Sequence, residues 1–150
     1  MDHAKKVEEF LNVGKAEAKL ITGGDRFSIN DSDAFIQPTI FADVPEDATI
    51  ARDEIFGPVL AIQTFDTEDE AIKIANDTPY GLAGYVQGEQ AHAVEVASKI
   101  RAGQVTINKG ARVRSAPFGG YGSSGNGREH GTHGLEECLE TKAVIGALVE

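Results

Sequence analysis

The chain has 150 residues, 41% of them hydrophobic and 25% charged, with 17 glycines and 5 prolines; this composition is typical of a globular domain and excludes disordered and fibrous proteins. The formal net charge of −10 argues against nucleic-acid and anionic membrane partners, because both are bound mainly through Lys and Arg. No apolar run approaches the roughly 20 residues of a membrane span, so a cytoplasmic protein is predicted.

The first predicted elements are a helix and a short strand. Val7, Phe10 and Leu11 share one helical face, which predicts an amphipathic helix over residues 4–18. Residues 19–22 follow as a strand that ends at two consecutive glycines, because glycine is a strong breaker of regular structure.

The next segments alternate between polar and apolar. Residues 25–34 are polar and are predicted to form a loop, whereas residues 35–41 are predicted to be extended. Pro38 has no backbone N–H, which places this extended segment at a sheet edge. The continuous apolar run at residues 59–62 is typical of a strand buried on both faces of a parallel sheet.

Strands alternate with helices in the middle of the chain. Residues 67–70 have capping-box spacing, which predicts a helix start, and strands are predicted at residues 84–86 and 105–107. Apolar residues at helical spacing predict a second amphipathic helix between these two strands; they are Ala93, Val96, Ala97 and Ile100. The alternation predicts βαβ units and a largely parallel sheet, and hence an α/β fold.

The last part of the chain is glycine-rich and then apolar. Residues 112–134 are predicted to be irregular, followed by a short helix at residues 135–139 and a strand at residues 141–149. A long apolar strand at the end of a sequence needs a partner edge. That edge comes from elsewhere in the chain or from another subunit, and the second possibility predicts a homo-oligomer.

One short segment combines groups suited to a nucleotide. Glu54 and Phe56 lie two residues apart, ahead of a Gly-Pro turn, and in extended geometry such residues point to the same side. A carboxylate beside an aromatic ring suits a ribose diol next to nicotinamide. The alternative is an exposed glutamate and a core phenylalanine, which the local pattern alone favours.

The segment from Glu54 to Val59 resembles a signature of the aldehyde dehydrogenase superfamily. Further motifs stand in the family's order: Pro38-Thr39, Ala75-Asn76, Tyr80-Gly81-Leu82, Ala102-Gly103, Asn108, Pro117-Phe118-Gly119-Gly120, Ser124–Glu129, Gly134-Leu135 and Lys142. The resemblance covers the chain from about Val7 to Val144, and an ordered series is more specific than one short motif.

The resemblance implies roles for individual residues. Glu54 resembles the glutamate that hydrogen-bonds the nicotinamide ribose, and Phe56 and Leu82 resemble residues near the nicotinamide. Phe118 resembles a wall of the aldehyde entry tunnel. Arg112 belongs to a basic cluster just before Phe118 that is expected to line this tunnel and to favour an anionic substrate; a solvated basic loop is the alternative.

The resemblance also implies what the whole enzyme does. An NAD- or NADP-dependent aldehyde dehydrogenase oxidises an aldehyde to a carboxylic acid, by attack of a cysteine, hydride transfer to nicotinamide and hydrolysis of the thioester. This chain resembles part of the catalytic domain (residues 1–134) followed by a short helix and oligomerisation strand (residues 135–150). The choice between NAD and NADP, and the identity of the aldehyde, stay open.

No catalytic residue is expected within the chain. The family's nucleophile and general base correspond to positions upstream of residue 1, so the chain alone is expected to be inactive. Cys138 lies among Glu136, Glu137 and Glu140, which disfavour the reactive thiolate. A free-standing oligomerisation module and a complementing subunit of a split enzyme are the alternatives.

Two further patterns are not expected to bind ligands. Residues 120–125 match the G-x-G-x-x-G fingerprint, but the strand before it and the helix after it are lacking. His130 and His133 are two histidines without further ligands, so no metal site is predicted.

Overall fold

The computed structural model describes residues 3–111 and 113–146. The chain divides into two compact units, Met1–Ile74 and Ala75–Glu150. The predicted division at residues 134 and 135 concerns parts of a whole enzyme and stays a prediction.

The first unit is built on an amphipathic helix. Helix α1 spans His3–Glu17, as predicted, and buries one stripe of side chains that includes Val7 and Leu11. These side chains join Phe41, which is fully buried, in the hydrophobic core of the unit. The burial of this stripe explains why α1 is stable on a sequence with no acidic residue in its first turn.

Helix α1 packs over a three-stranded sheet. Strands β1 (Lys19–Thr22), β4 (Thr39–Ala42) and β5 (Val59–Ala61) lie in the order β1-β4-β5. The first pair is antiparallel and the second is parallel. Pro38 directly precedes β4, the central strand, so its predicted edge position is wrong. The ladder starts one residue later, where the N–H of Thr39 donates to the Pro58 carbonyl at 2.9 Å.

Strand β5 is more exposed than its sequence predicts. Its parallel pairing is confirmed, but Leu60 is 54% exposed and the flanking residues of the strand are half-buried. The predicted burial on both faces is wrong within the described residues, because the face of β5 that carries Leu60 is left exposed there.

A β-hairpin replaces the loop that was predicted at residues 25–34. Strands β2 (Arg26–Ile29) and β3 (Ser32–Ile36) pair antiparallel. Asn30 and Asp31 both have positive φ, 49° and 61°, as a two-residue turn of the type I′ class requires. The many polar residues of the segment concealed this hairpin.

Short helix α2 (Thr49–Arg52) connects β4 to β5. Glu17 accepts hydrogen bonds from the Thr49 hydroxyl at 2.7 Å and from the Ile50 amide at 3.4 Å. The Thr49 hydrogen bond lowers the pKa of the Glu17 carboxyl, because it favours the charged form. This carboxylate therefore ties the end of α1 to the start of α2.

Helix α3 (Glu68–Asn76) begins in the first unit and ends in the second. The Thr67 half of the predicted capping box is present: the Thr67 hydroxyl accepts from the Glu70 amide at 3.2 Å, whereas the reciprocal bond is made to the residue before Thr67. The Glu70 carboxylate in turn accepts from the Asp66 amide at 2.8 Å.

The second unit contains one βαβ motif. Strands β6 (Ala83–Val86) and β7 (Gln104–Ile107) are parallel and in register, as predicted, and helix α4 (Gln90–Lys99) connects them. The predicted apolar face of α4 is buried or half-buried, with Ala93 at 1% exposure. The predicted α/β fold is confirmed: the pairs β4–β5 and β6–β7 are parallel, while the pairs β1–β4 and β2–β3 are antiparallel, and the described strands form three sheets.

Side chains close both ends of α4. Glu89 accepts from the amides of Ala91 and His92, and these hydrogen bonds, the one from His92 first, lower the pKa of its carboxyl. At the other end, the Asn76 side chain donates to the Lys99 carbonyl and accepts from the Arg101 amide, at 2.9 and 2.7 Å. The chain is thus directed into β7 by local polar contacts.

The segment after β7 is largely irregular, as predicted. It contains a 3-10 helix at Gly122–Ser124 and helix α5 at Gly131–Glu136, so the helix predicted at residues 135–139 begins four residues earlier than expected. Residues 141–146 are not a strand, and that part of the prediction is wrong, because no described strand pairs with them. Residues 147–149 lie outside the described residues.

Candidate functional site

Glu54 and Phe56 lie in a turn between α2 and β5. The side chain of Ile55, between them, is buried in the core at 9% exposure. Glu54 and Phe56 are exposed, and Phe56 is 71% exposed. The alternative of a core phenylalanine at position 56 is therefore wrong.

Phe56 departs from the extended geometry that its spacing from Glu54 suggested. Its φ is 59°, in the left-handed region that a bulky residue rarely adopts, at a cost of about 1–3 kcal/mol. The chain turns here before entering Gly57-Pro58 and β5. The expectation of a continuous extended segment from Glu54 to Phe56 is wrong for this reason.

Helix α1 holds this turn from one side. The His3 imidazole donates from Nε2 to the Phe56 carbonyl at 2.7 Å, and the Lys6 ammonium donates to the Glu54 carbonyl at 3.2 Å. Val7 packs so closely on Gly57 that a β-carbon there would lie 2.8 Å from Val7 Cγ1.

The Glu54 carboxylate is exposed and takes no part in these backbone contacts. Among residues 3–111 and 113–146, none donates a hydrogen bond to it and none forms an ion pair with it. Its two oxygens can accept hydrogen bonds from two neighbouring hydroxyls, as a ribose diol offers. The exposed Phe56 ring, two residues away, offers a flat apolar surface. The turn thus combines the two groups that a nucleoside requires.

Leu82 and Phe118 come together in the second unit. Both line a cavity of about 340 Å³, and most of the remaining lining comes from residues 119–129. Leu82 is 43% exposed, and Phe118 is half-buried. The two residues are 36 positions apart in the sequence and share this cavity. Their expected roles, Leu82 near the nicotinamide and Phe118 at the aldehyde tunnel, stay predictions.

The backbone around this cavity is well defined by hydrogen bonds. Phe118 and Glu129 exchange two backbone hydrogen bonds, each with an N–O distance of 2.7 Å. The Arg128 guanidinium donates to three carbonyls at 2.9 Å; they belong to Gly120, Asn126 and Gly127. These contacts hold the glycine-rich segment in place.

Phe118 also lines a larger groove of about 1070 Å³. It is lined by β7, by residues of the segment 110–118 including Arg114, and by His130. Arg112, predicted for the aldehyde tunnel, lies outside the described residues. Arg114 is exposed, as expected of a solvated basic loop as well.

Neither a cluster of metal ligands nor a membrane-spanning helix occurs among the described residues. Within residues 3–111 and 113–146, no three His, Cys, Asp or Glu side chains come together as metal ligands. None of the helices in the same part of the chain has the length and apolar character needed to cross a membrane. Cys138 is a free, exposed cysteine.

Sequence reasoning missed His3 and Lys6. Each reaches a backbone carbonyl about 50 positions away, and backbone carbonyls leave no trace in a sequence. The helical spacing of His3, Lys6 and Val7, at i, i+3 and i+4, places them on one face. That face would have been the only local signal.

Comparisons with known proteins agree on one family. The sequence matches the model of the aldehyde dehydrogenase family over residues 1–144. It is 52% identical, over 95% of its length, to 3-succinoylsemialdehyde-pyridine dehydrogenase from a Pseudomonas species, of which it covers 30%.

Solved structures give the same answer. One is a variant of aldehyde dehydrogenase C from Pseudomonas syringae in complex with NAD+ and octanal, with a TM-score of 0.92 and 49% identity, over 100% of this chain and 32% of that one. Another is an aldehyde dehydrogenase from Mycobacterium tuberculosis in complex with NAD+, with a TM-score of 0.88 and 44% identity, over 98% and 32%. The mixed α/β fold with parallel strands matches part of each structure, and the chain spans about 30% of the length of these relatives.

Proposed function

Because the chain belongs to the aldehyde dehydrogenase family, we propose that it serves NAD- or NADP-dependent oxidation of an aldehyde by holding the nicotinamide end of the cofactor. The full reaction converts an aldehyde, NAD(P)+ and water into a carboxylate, NAD(P)H and two protons. The two solved relatives named above are bound to NAD+, which supports NAD as the cofactor. The choice between NAD and NADP does not follow from the sequence of this chain.

The observation that carries the proposal is the pairing of Glu54 and Phe56. The turn presents an exposed carboxylate without a hydrogen-bonding partner among the described residues, beside an aromatic ring that is 71% exposed. An exposed phenylalanine in a left-handed conformation costs free energy, so its retention in a folded protein favours a ligand-binding role. These groups fit a ribose that carries a planar, aromatic base.

When bound, the cofactor supplies the acceptor for the aldehyde hydride. In this proposal the Glu54 carboxylate accepts hydrogen bonds from the ribose hydroxyls, and the Phe56 ring limits the positions of the adjacent ring. Correct orientation of two reacting groups lowers the barrier without any covalent contact. Glu54 and Phe56 therefore act by positioning, and neither exchanges a proton or electron pair with the aldehyde.

The second unit supplies the aldehyde side of the proposal. Leu82 and Phe118 are the apolar side chains of a cavity that is otherwise lined by glycines and polar residues, and the Phe118 ring suits contact with the hydrocarbon part of an aldehyde. Leu82 is assigned to the nicotinamide pocket, and Phe118 and Arg112 to the entry tunnel, with Arg112 favouring an anionic substrate.

The isolated chain is proposed to be inactive. An aldehyde dehydrogenase of this family needs a nucleophilic cysteine, and the chain has only Cys138. Cys138 is exposed and follows two glutamates directly, a setting that does not favour a thiolate. The split-enzyme and free-standing alternatives remain compatible with this inactivity.

Self-association is also proposed. Several apolar side chains near the end of the described residues are exposed by more than half; they are Leu135, Leu139, Val144 and Ile145. Exposed apolar surface of this kind favours contact with another protein surface. A cytoplasmic location stays a prediction.

The test uses an active enzyme that carries this chain. The chain replaces the matching 32% of aldehyde dehydrogenase C from Pseudomonas syringae, and octanal, which that protein binds, is the substrate; this protein is called the chimera below. Glu54→Gln keeps the shape of the side chain and removes its charge. A hydrogen bond to a charged group is worth roughly 1.5–3 kcal/mol, so kcat should fall about 10- to 150-fold.

The decrease should appear in kcat more than in the affinity for NAD+, because orientation for hydride transfer is lost. With octanal deuterated at the aldehyde carbon, the isotope effect on kcat should increase. Asp53→Asn, at the neighbouring exposed carboxylate, is the matched control and should change neither kcat nor the isotope effect. If Glu54→Gln also leaves kcat, KM and the isotope effect unchanged in a folded chimera, Glu54 is only a surface carboxylate.

A further inference from the structure

The turn that carries Glu54 and Phe56 has a backbone conformation that its own sequence disfavours at Phe56. Phe56 has a φ of 59°, which glycine adopts readily and phenylalanine does not. Phe56 is also largely exposed, so burial of its ring does not hold the turn. The buried Ile55 anchors the turn to the core, and further contacts come from elsewhere in the first unit.

These contacts come from one face of α1. His3 makes two of them: its Nε2 lies 2.7 Å from the Phe56 carbonyl oxygen, and its ring meets the Phe56 ring edge-on, with centroids 6.0 Å apart and planes at 80°. The Lys6 ammonium lies 3.2 Å from the Glu54 carbonyl oxygen. Both residues that the proposed function requires are therefore contacted by α1.

The helix is a rigid base for these contacts. Val7 and Leu11, on the same side of α1, are 1% and 0% exposed in the core. A carbonyl oxygen only accepts hydrogen bonds, so His3 must carry a proton on Nε2 to make this contact. The contact fixes the peptide plane that follows Phe56, and with it the direction in which the Phe56 ring leaves the backbone.

We propose that His3 is a positioning residue for the nicotinamide site: its Nε2–H holds the Phe56 carbonyl so that the Phe56 ring and the Glu54 carboxylate keep a fixed spacing. The proposal rests on the proposed function of these two residues. His3 acts through Phe56, and its effect on the reaction is an effect on orientation. Loss of the donor should therefore slow hydride transfer more than it weakens cofactor binding.

The test compares two substitutions in the chimera. His3→Phe keeps an aromatic ring and removes the donor, whereas His3→Gln keeps an N–H that can reach the carbonyl. His3→Phe should lower kcat about 2- to 12-fold, the factor that corresponds to one hydrogen bond of about 0.5–1.5 kcal/mol. The affinity for NAD+ should change less than kcat, and the isotope effect with deuterated octanal should increase.

His3→Gln should recover most of the lost activity. Recovery by a different side chain that shares only the donor separates positioning from general packing. Lys5→Ala, at an exposed position of the same helix, is the control and should leave kcat unchanged. Equal kcat and isotope effect in His3→Phe and the unsubstituted chimera would overturn the proposal, and so would a His3→Gln variant as slow as His3→Phe.

A second measurement does not depend on activity. In the 150-residue chain labelled with carbon-13, the chemical shift of the Phe56 carbonyl carbon should move in His3→Phe and return in His3→Gln. An unmoved shift in His3→Phe contradicts the hydrogen bond itself, even where the substituted chimera fails to fold. The two sets of variants also separate the two proposals. If Glu54→Gln slows the chimera and His3→Phe does not, only the inference about His3 is wrong. If Glu54→Gln has no effect, the proposed function itself is wrong.

Discussion

Gly103 is a position at which two backbones of the second unit approach each other closely. It lies directly before β7, and its amide donates to the Gly81 carbonyl at 2.9 Å. A β-carbon added to Gly103 would overlap the carbonyl oxygen of Gly119 and lie 3.2 Å from the α-carbon of Gly120. Gly103→Ala should therefore displace the segment that begins at Phe118 and borders both cavities.

The expected magnitude follows from two opposing terms. Overpacking a well-packed site costs about 1–3 kcal/mol, and the upper part of this range applies because a backbone carbonyl cannot rotate away like a side chain. Alanine also restricts the unfolded chain, which stabilises the folded state by about 0.4–1 kcal/mol. The net loss should be about 2 kcal/mol. For a chain of 150 residues this corresponds to a Tm lower by about 4–8 °C.

Thermal unfolding of the chain, followed by circular dichroism, measures this difference. Gly88→Ala is the matched control, because nothing lies within 4 Å of a β-carbon built on Gly88. Its Tm should be unchanged or slightly raised. Equal Tm values for the two variants would show that the backbone of Gly119 does not lie against Gly103, and the described shape of the Phe118 segment would then be wrong.

Three further predictions concern activity, assembly and pH. The purified chain should oxidise no aldehyde with NAD+ or NADP+ in a spectrophotometric assay. Turnover that survives Cys138→Ser would show that the reaction needs no cysteine from outside this chain. Turnover that Cys138→Ser abolishes would make Cys138 the nucleophile. Light scattering at micromolar concentration should detect dimers or larger species, and deletion of Thr141–Glu150 should weaken them; a monomer unaffected by the deletion contradicts the proposed self-association. Hydrogen bonding lowers the folded-state pKa of Glu17, so its contribution is present above its ordinary pKa and is lost as the pH falls through the lowered value. Glu17→Gln should therefore cost about 1 kcal/mol of unfolding free energy at neutral pH and less in acid, whereas Glu9→Gln, at an exposed position of the same helix, should show no such difference in urea unfolding.

Local patterns predicted the helices well and the pairing of strands less well. The buried faces of α1 and α4 follow from apolar residues at helical spacing, and this signal is contained in a few neighbouring residues. The hairpin of β2 and β3 was missed because its residues are mostly polar and exposed. Its two-residue turn at Asn30 and Asp31 was the available signal.

The exposure of β5 illustrates a second limit. An apolar run predicts that other parts of the protein cover the strand, but it does not identify those parts. Leu60 is exposed because no described strand or helix lies over its face. The apolar run of β5 therefore predicts a burial that the described residues do not provide. This agrees with a chain that spans about 30% of the length of its relatives.

Part of the candidate site likewise follows from the local sequence, and part depends on contacts between distant residues. The chemical identities of Glu54 and Phe56, and their spacing, were visible in the sequence, and the buried Ile55 between them accounts for their common exposure. Their orientation was not visible, because it depends on a left-handed Phe56 and on a hydrogen bond from His3, 53 positions away. A pattern of two residues specifies which groups a ligand can meet. Only a contact between distant parts of the chain specifies where those groups are held, and for a reaction that depends on orientation this second property sets the rate.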